Sequence, residues 1–262
     1  KAKGYAISDD EMEAAEIAIL LHDIGHGPFS HVLEYTLLNH VHHEEISNLI
    51  MEKLNQHFEG RLSLAISMFD DSYPRKFFHQ LISSQLDVDR LDYLSRDSFY
   101  TGVREGFIGS ERLLSMLDLQ DENLVMEEKG IYSIENFLMA RRLMYWQVYL
   151  HKTAIAAETM LIQILRRAKD LIHQGKPLHC SKALMLFLSK EYTWEEFTAD
   201  PKLLIAFTDL DDHDVWAAIK TWKDAEDKIL SLLCSHFLSR KLFTCKLGSQ
   251  PLPKSKRTEI SE

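Results

Sequence analysis

The sequence predicts an all-α fold, and three observations predict it. Apolar residues recur at helical spacing through nearly every segment instead of alternating. The stretch from Glu135 to His173 holds that period and contains neither Gly nor Pro. Strand-like patterning is confined to one short stretch, NLVMEEKGIYSI, and to the tail that begins RKLFTCKLG. With 262 residues, 45% hydrophobic and 27% charged, the chain can bury a sizeable core as one large domain or two small ones.

The elements follow in order. In ISDDEMEAAEIAILLHD, Ser8 is the expected N-cap and Glu11 completes a capping box. Asp9 and Asp10 suit the positive end of that helix. Ala14, Ala15, Ile17, Ala18, Leu20 and Leu21 leave almost no polar face, which predicts a buried helix ending at His22 and Asp23. HHEEISNLIMEKLNQHF is a second amphipathic helix, with Ile46, Leu49, Ile50 and Leu54 on one side. Two helices follow in PRKFFHQLISSQLDVDRLDYLSRDSFYTG, broken between Ser83 and Asp87, with Asp87 as N-cap of the second. A strand pair is expected around Lys129-Gly130. One very long spine helix should then run from Glu135 to His173 and stop at Gly175 and Pro177. Helices are expected at 181–190, 194–207, 212–220 and 223–236. The tail turns to strand and loop character, the start of a small α/β or strand-containing C-terminal extension.

Composition narrows the function. A net charge of −10 argues against general nucleic-acid binding, which needs a basic face. A cation and a few local basic residues can still attract an anion into one cleft. Cys180, Cys234 and Cys245 lack metal-ligand spacing, and three reduced thiols fit a cytoplasmic protein. No apolar run is long enough to span a membrane, so no membrane partner is expected.

Four motifs offer chemistry, each beside a plainer reading. His22-Asp23 supplies an imidazole and a carboxylate, suited to Mn, Fe, Mg, Ni or Zn. The plainer reading is a core histidine and a helix-end hydrogen bond. In DVDRLDYLSRD, Asp89, Tyr93 and Asp97 recur every four residues on one helix face. The plainer reading is a solvated acidic face with pairs such as Asp92–Arg96. In FLMARRLMYWQVYLHK, Arg141, Tyr145, Tyr149 and Lys152 form one helical stripe suited to a phosphate chain and a stacked ring. The plainer reading is an amphipathic flank. His43-Glu44, near His40 and His42, can move a proton or orient a water. The plainer reading is a helix first turn with acidic residues facing the dipole.

Together HDIGHGPFSH at 22–31, HHE at 42–44, LDVDRLDYLSRD at 86–97 and ARxxxYxxxYxHK at 140–152 resemble the HD-domain phosphohydrolases. The similarity is greatest to the deoxynucleoside triphosphate triphosphohydrolase branch that includes the SAM- and HD-domain-containing protein. The resemblance implies an HD helical bundle with a divalent metal held by His22, Asp23, Asp89 and a further histidine. Lys1 to Glu16 contains no histidine, so that ligand is expected upstream of Lys1 in a longer protein. It places His26, His31 with its partner Glu34, and the His43–Glu44 pair around the reacting phosphate. It assigns substrate contacts to Arg90, Tyr93, Asp97, Arg141, Tyr145, Tyr149, His151 and Lys152, with Tyr145 standing where the family has a histidine. It further implies a nucleotide substrate, an activating nucleotide, and a homo-oligomer, dimer or tetramer. Residues 1–130 would then be the catalytic core, 131–246 a helical continuation packed on it, and 247–262 the start of a C-terminal segment. No Gly-Tyr-Pro element follows the HD motif, which disfavours a cyclic-dinucleotide phosphodiesterase. Other phosphate esters, or nucleotide sensing without turnover, remain as alternatives.

Overall fold

A computed structural model describes residues 3–30, 32, 36 and 41–245. Among them the protein is helical apart from one two-stranded antiparallel sheet. The N-terminal part runs through α1 (Asp9–Leu21), α2 (His43–His57), α3 (Ser63–Phe69), α4 (Phe77–Ile82) and α5 (Val88–Thr101). Then come α6 (Ser110–Met116), β1 (Leu117–Gln120), β2 (Asn123–Met126) and α7 (Ile131–Met144). The remainder is α8 (Lys152–His173), α9 (Lys182–Ser189), α10 (Trp194–Ala199), α11 (Pro201–Thr208), α12 (Asp212–Trp222) and α13 (Lys228–Leu238).

Among the described residues, three apolar clusters hold this together. The largest joins Ile46 and Ile50 of α2 to Leu161, Ile164 and Leu165 of α8 and to the helices after it. A second packs α1 on α3 and α4 through Ala14, Ala18, Ala65, Met68 and Phe78. The third joins Leu91 and Leu94 of α5 to Phe137, Ala140 and Met144 of α7. The ends of α1, α3 and α4 and the beginnings of α2 and α5 meet around one cleft. None of the described helices is long and apolar enough to cross a membrane.

The expected caps are present. Ser8 and Glu11 form the capping box of α1, and Asp87 accepts from the Arg90 N–H at the start of α5. Several expectations need correction. The spine is not one helix: α7 gives way to a π-turn at Tyr145–Tyr149, where the Leu150 N–H donates to the Tyr145 carbonyl at 2.7 Å. His151 is extended (φ −63°, ψ 134°), and its ring accepts from the Thr153 N–H to cap α8. A capping side chain breaks the helix without Gly or Pro. The stripe of Arg141, Tyr145, Tyr149 and Lys152 is therefore interrupted, with Lys152 exposed beyond the break.

The hairpin turns at Asp121-Glu122, both at positive φ, and pairs Leu117 with Met126. Lys129-Gly130 lies instead in a 3-10 turn. Only a backbone this close to the Met116 and Met126 side chains explains Gly130, since a Cβ there would come within 2.7 Å of the Met126 sulfur. The expected helix at 194–207 is split by Pro201, which starts α11 under the Asp200 cap. The last helix begins at Lys228 under Asp227, not at 223. Finally, α1 is not buried all round: Ala14 and Ala18 are, but Leu20 is 79% exposed. The expected C-terminal extension at 247–262 lies outside the described residues.

Two carboxylates tie layers together. Burial alone would raise the Glu11 carboxyl, but the Ser8 N–H, Arg75 and Tyr73 all donate to it and bring it down to about 2. Arg167 and the Leu230 N–H hold Asp227 at about 2, joining α8 to α13. Both sit below the ordinary carboxylate value of about 4. Their stabilisation is therefore present above that value and is lost as pH falls toward 2. The unfolding free energy, read from urea titrations, is expected to drop between pH 5 and pH 2 by on the order of 1–2 kcal/mol per group. Glu11→Gln should flatten part of that slope; an unchanged slope would contradict the assignment.

Candidate metal centre

His22 caps the C-terminus of α1, and its Nδ1 lies 2.7 Å from the Ile19 carbonyl. That contact makes Nδ1 the donor and leaves the Nε2 lone pair free to bind a cation. Nε2 faces two carboxylates, Asp23 Oδ1 at 3.3 Å and Asp89 Oδ1 at 3.8 Å. These spacings are long for hydrogen bonds. They suit two ligands of one divalent ion, which stand about 3.0–3.5 Å apart when each is about 2.1 Å from the metal. The ligand atoms of His22, Asp23 and Asp89 all lie within 4.8 Å of one another. The predicted set is thus brought together.

Asp89 reaches it from the first turn of α5. Burial raises its carboxyl above the ordinary range; His22 lowers it and the neighbouring Asp23 raises it again. Two carboxylates and an imidazole in a half-buried cleft form a donor set that a divalent cation satisfies.

A second set forms around the same aspartate. His26 Nε2 is 3.7 Å from Asp23 Oδ1, and His43 Nε2 is 4.0 Å from it. The two imidazole rings stack at 3.8 Å and 16°. The turn that carries His26 is clamped to α2. The Ser47 hydroxyl donates to the His22 carbonyl at 2.7 Å and accepts from the Gly25 N–H at 2.9 Å. Gly25 is obligatory here, because a Cβ would lie 2.2 Å from the His43 carbonyl and 2.4 Å from the Ser47 nitrogen.

The cleft holds about 630 Å³ and is also lined by Glu44, Asn48 and Arg90. Arg90 pairs with Asp87, which is itself held by the Ser84 N–H at 3.0 Å. Sequence reasoning missed several residues of this wall. Asn48 belongs to the amphipathic helix pattern, as does the buried Ser47 that clamps the turn without lining the cleft, and Asp70, Asp71 and His79 to a segment read only as helix and turn. His79 has its Nδ1 2.9 Å from the Phe69 carbonyl, which ties α4 to the end of α3. Nothing in their spacing marked them.

The other predicted residues form a neighbouring group. The Tyr149 hydroxyl donates to Asp97 Oδ2 at 2.7 Å. Burial, then that hydrogen bond, raises the Tyr149 phenol strongly, and burial raises Tyr93. Tyr93 and Tyr145 meet the Tyr149 ring edge-on at 6.0 and 5.2 Å. Arg141 lies 5.9 Å from the Tyr145 ring centre and donates to Gln85 at 3.0 Å. Arg141, Tyr145 and Tyr149 do not line the 630 Å³ cleft. His151 and Lys152 are exposed, His151 serving as a cap. His31, Glu34 and His40 lie outside the described residues.

Among its described residues, this mostly helical protein gathers imidazole and carboxylate donors where its helices meet, a set suited to a divalent cation. Residues 2–97 match the HD domain and residues 108–178 the HD associated region. A solved phosphohydrolase of Bacteroides thetaiotaomicron is 55% identical, with a TM-score of 0.95 over 99% of this chain and 64% of its own. The uncharacterized protein YwfO of Bacillus subtilis is 35% identical over 90% of this chain and 53% of its own length. The deoxynucleoside triphosphate triphosphohydrolase SAMHD1 homolog of Dictyostelium discoideum is 28% identical over 75% of this chain and 41% of its own. The chain belongs to the HD-domain phosphohydrolase superfamily. It spans between about two fifths and two thirds of the length of these relatives.

Proposed function

We propose that the protein hydrolyses deoxynucleoside triphosphates to deoxynucleoside and triphosphate. The observation that supports this reading is the succession along α5 of a candidate metal ligand, Asp89, and a polar pair, Asp97 hydrogen-bonded to Tyr149. Side chains four residues apart on a helix are about 6 Å apart along its axis. Asp89, Tyr93 and Asp97 can thus follow a substrate from phosphate to sugar. The similarity to the Dictyostelium triphosphohydrolase agrees with this assignment.

His22, Asp23 and Asp89 would hold a divalent metal, which would supply Lewis acidity and lower the pKa of a water. The chain's own residues do the rest. Arg90, anchored by Asp87, and Arg141, anchored by Gln85, hold the phosphate oxygens. His26 and His43 face the α-phosphate, with Glu44 orienting water. His31 is the residue proposed to give a proton to the departing 5′ oxygen, its imidazole being suited to that near neutral pH. Asp97 and Tyr149 bind the 3′-hydroxyl while Tyr93 crowds the 2′ side, which rejects ribose. The activating nucleotide and homo-oligomer belong to the same proposal. Exposed Tyr132, Leu138, Met139 and Trp146 on and beyond α7 support self-association. A smaller phosphate ester is the second reading, favoured by the separation of Arg141, Tyr145 and Tyr149 from the cleft lining.

The test is nucleoside release from each dNTP and NTP with Mn²⁺, followed by chromatography, with Asp89→Ala as control. Deoxynucleoside from dNTPs with wild type alone is the expected result. Turnover only of nucleoside monophosphates would move the assignment to the second reading. Tyr149→Phe is expected to raise KM for a dNTP about tenfold while leaving metal content unchanged, one lost hydrogen bond being worth about 1.4 kcal/mol. An unaltered KM would remove Tyr149 from the sugar site.

A further inference from the structure

We infer that Asp212 and Trp216 of α12 are positioning residues for the loop that carries His26, a role that rests on the proposed function and deepens it. The Phe29 N–H donates to Asp212 Oδ1 at 2.8 Å, joining residues 183 apart in the chain. The Phe29 ring meets Trp216 edge-on, with ring centres 5.9 Å apart and planes at 60°. Trp216 rests in turn on Phe237 of α13, at 5.5 Å. Residues i and i+4 share a helix face. One face of α12 thus grips Phe29 twice, by its backbone through Asp212 and by its ring through Trp216.

The loop's own backbone shows why it needs a grip. Phe29 and Ser30 both stand at positive φ, 55° and 48°, and neither is glycine. Side chains disfavour that conformation, and it persists only where the surroundings impose it. The bonds within the loop are local: the Ser30 N–H donates to the Gly27 carbonyl at 3.0 Å, and the Val32 N–H to the Phe29 carbonyl at 3.1 Å. Bonds this local leave the loop to be fixed by its anchors. On one side of His26, Ser47 of α2 holds the His22 carbonyl and the Gly25 N–H. On the other side, α12 holds Phe29. An imidazole between two such anchors keeps its place beside the Asp23 carboxylate, as a group that meets a substrate phosphate must. The cap of α12 does not depend on Asp212. Asp211 accepts from the His213 and Asp214 N–H groups, and Asp214 accepts from the Asp211 N–H. Asp212 is exposed and bonds outward to the loop instead. A carboxylate that accepts from a backbone N–H makes a charge-assisted bond, stronger than a neutral one.

The experiment compares Asp212→Ala and Asp212→Asn with wild type in the intact protein, by two readouts. Without substrate, NMR follows hydrogen exchange at the Phe29 amide and the His26 ring signals. Asp212→Ala is expected to speed that exchange about tenfold and to shift the His26 signals, with Tm lowered by less than about 3 °C. With Mn²⁺ and a dNTP, the same variant is expected to lose about tenfold in kcat while KM changes by less than about twofold and metal content stays the same. Asp212→Asn keeps an acceptor oxygen in place and should recover most of that loss. Trp216→Leu, which removes the ring, should loosen Phe29 in the same direction. Unmoved His26 signals with unchanged exchange in Asp212→Ala would overturn the positioning role, and so would an equal loss of kcat in Asp212→Asn. A wild type that turns over no dNTP would overturn the proposed function, and the substrate-free NMR would then decide the positioning role by itself.

Discussion

Asp23→Ala is expected to lower kcat by about a thousandfold or more and to strip the protein of bound divalent metal. Among the described residues, no other stands in both ligand sets. Its carboxylate is the nearer of the two that face His22 Nε2, and it also faces His26 and His43. Asp23 is half exposed, and the α1 terminus is held by Ser47 rather than by Asp23. Stability should therefore change by less than about 1 kcal/mol, as for other exposed side chains. Activity assays, elemental analysis and thermal melts check the three parts together. Retained metal with retained turnover would mean that the centre lies elsewhere.

Gly25→Ala should act in the opposite sense, through the fold. Its Cβ would meet two backbone atoms, the His43 carbonyl and the Ser47 nitrogen, which cannot rotate away. The turn and α2 would have to separate, at a cost of about 3–5 kcal/mol. For a chain of this size that is a drop in Tm of roughly 10 °C. Ser47→Ala, which empties a fully buried hydroxyl position and leaves the His22 carbonyl without that partner, should cost about 1–3 kcal/mol. Both variants should weaken metal binding, since both loosen His22 and Asp23 against His43. An unchanged melting curve for Gly25→Ala would contradict the close packing of the turn on α2.

Much of this arrangement is legible in the sequence because its signals are local. A Ser8–Glu11 capping box, an Asp87 cap and a Gly-x-Gly-Pro turn after His22-Asp23 each rest on neighbouring residues. The union of His22, Asp23 and Asp89 follows from motif resemblance, since spacing alone does not bring residue 89 to residue 23. What sequence does not show are the features that depend on distant packing. Ser47 reads as an ordinary polar position of an amphipathic helix, yet it fastens the HD turn. His151 reads as a helix-interior residue, yet its ring caps α8 and ends the spine. Asp121-Glu122 lacks the glycine that would advertise a two-residue turn, so the hairpin was expected further along the chain. Leu20 looked buried because its helix is apolar on every side; only the finished packing shows which side α3 and α4 cover.

The central claim is attack at the α-phosphorus of a deoxynucleoside triphosphate. Its most direct test is phosphorus NMR of the products of a dNTP incubated with the intact protein and Mn²⁺ in ¹⁸O-enriched water. The account predicts intact triphosphate carrying one ¹⁸O at a terminal phosphorus, with unlabelled deoxynucleoside. Release of labelled orthophosphate or pyrophosphate, leaving a nucleoside di- or monophosphate, would contradict it.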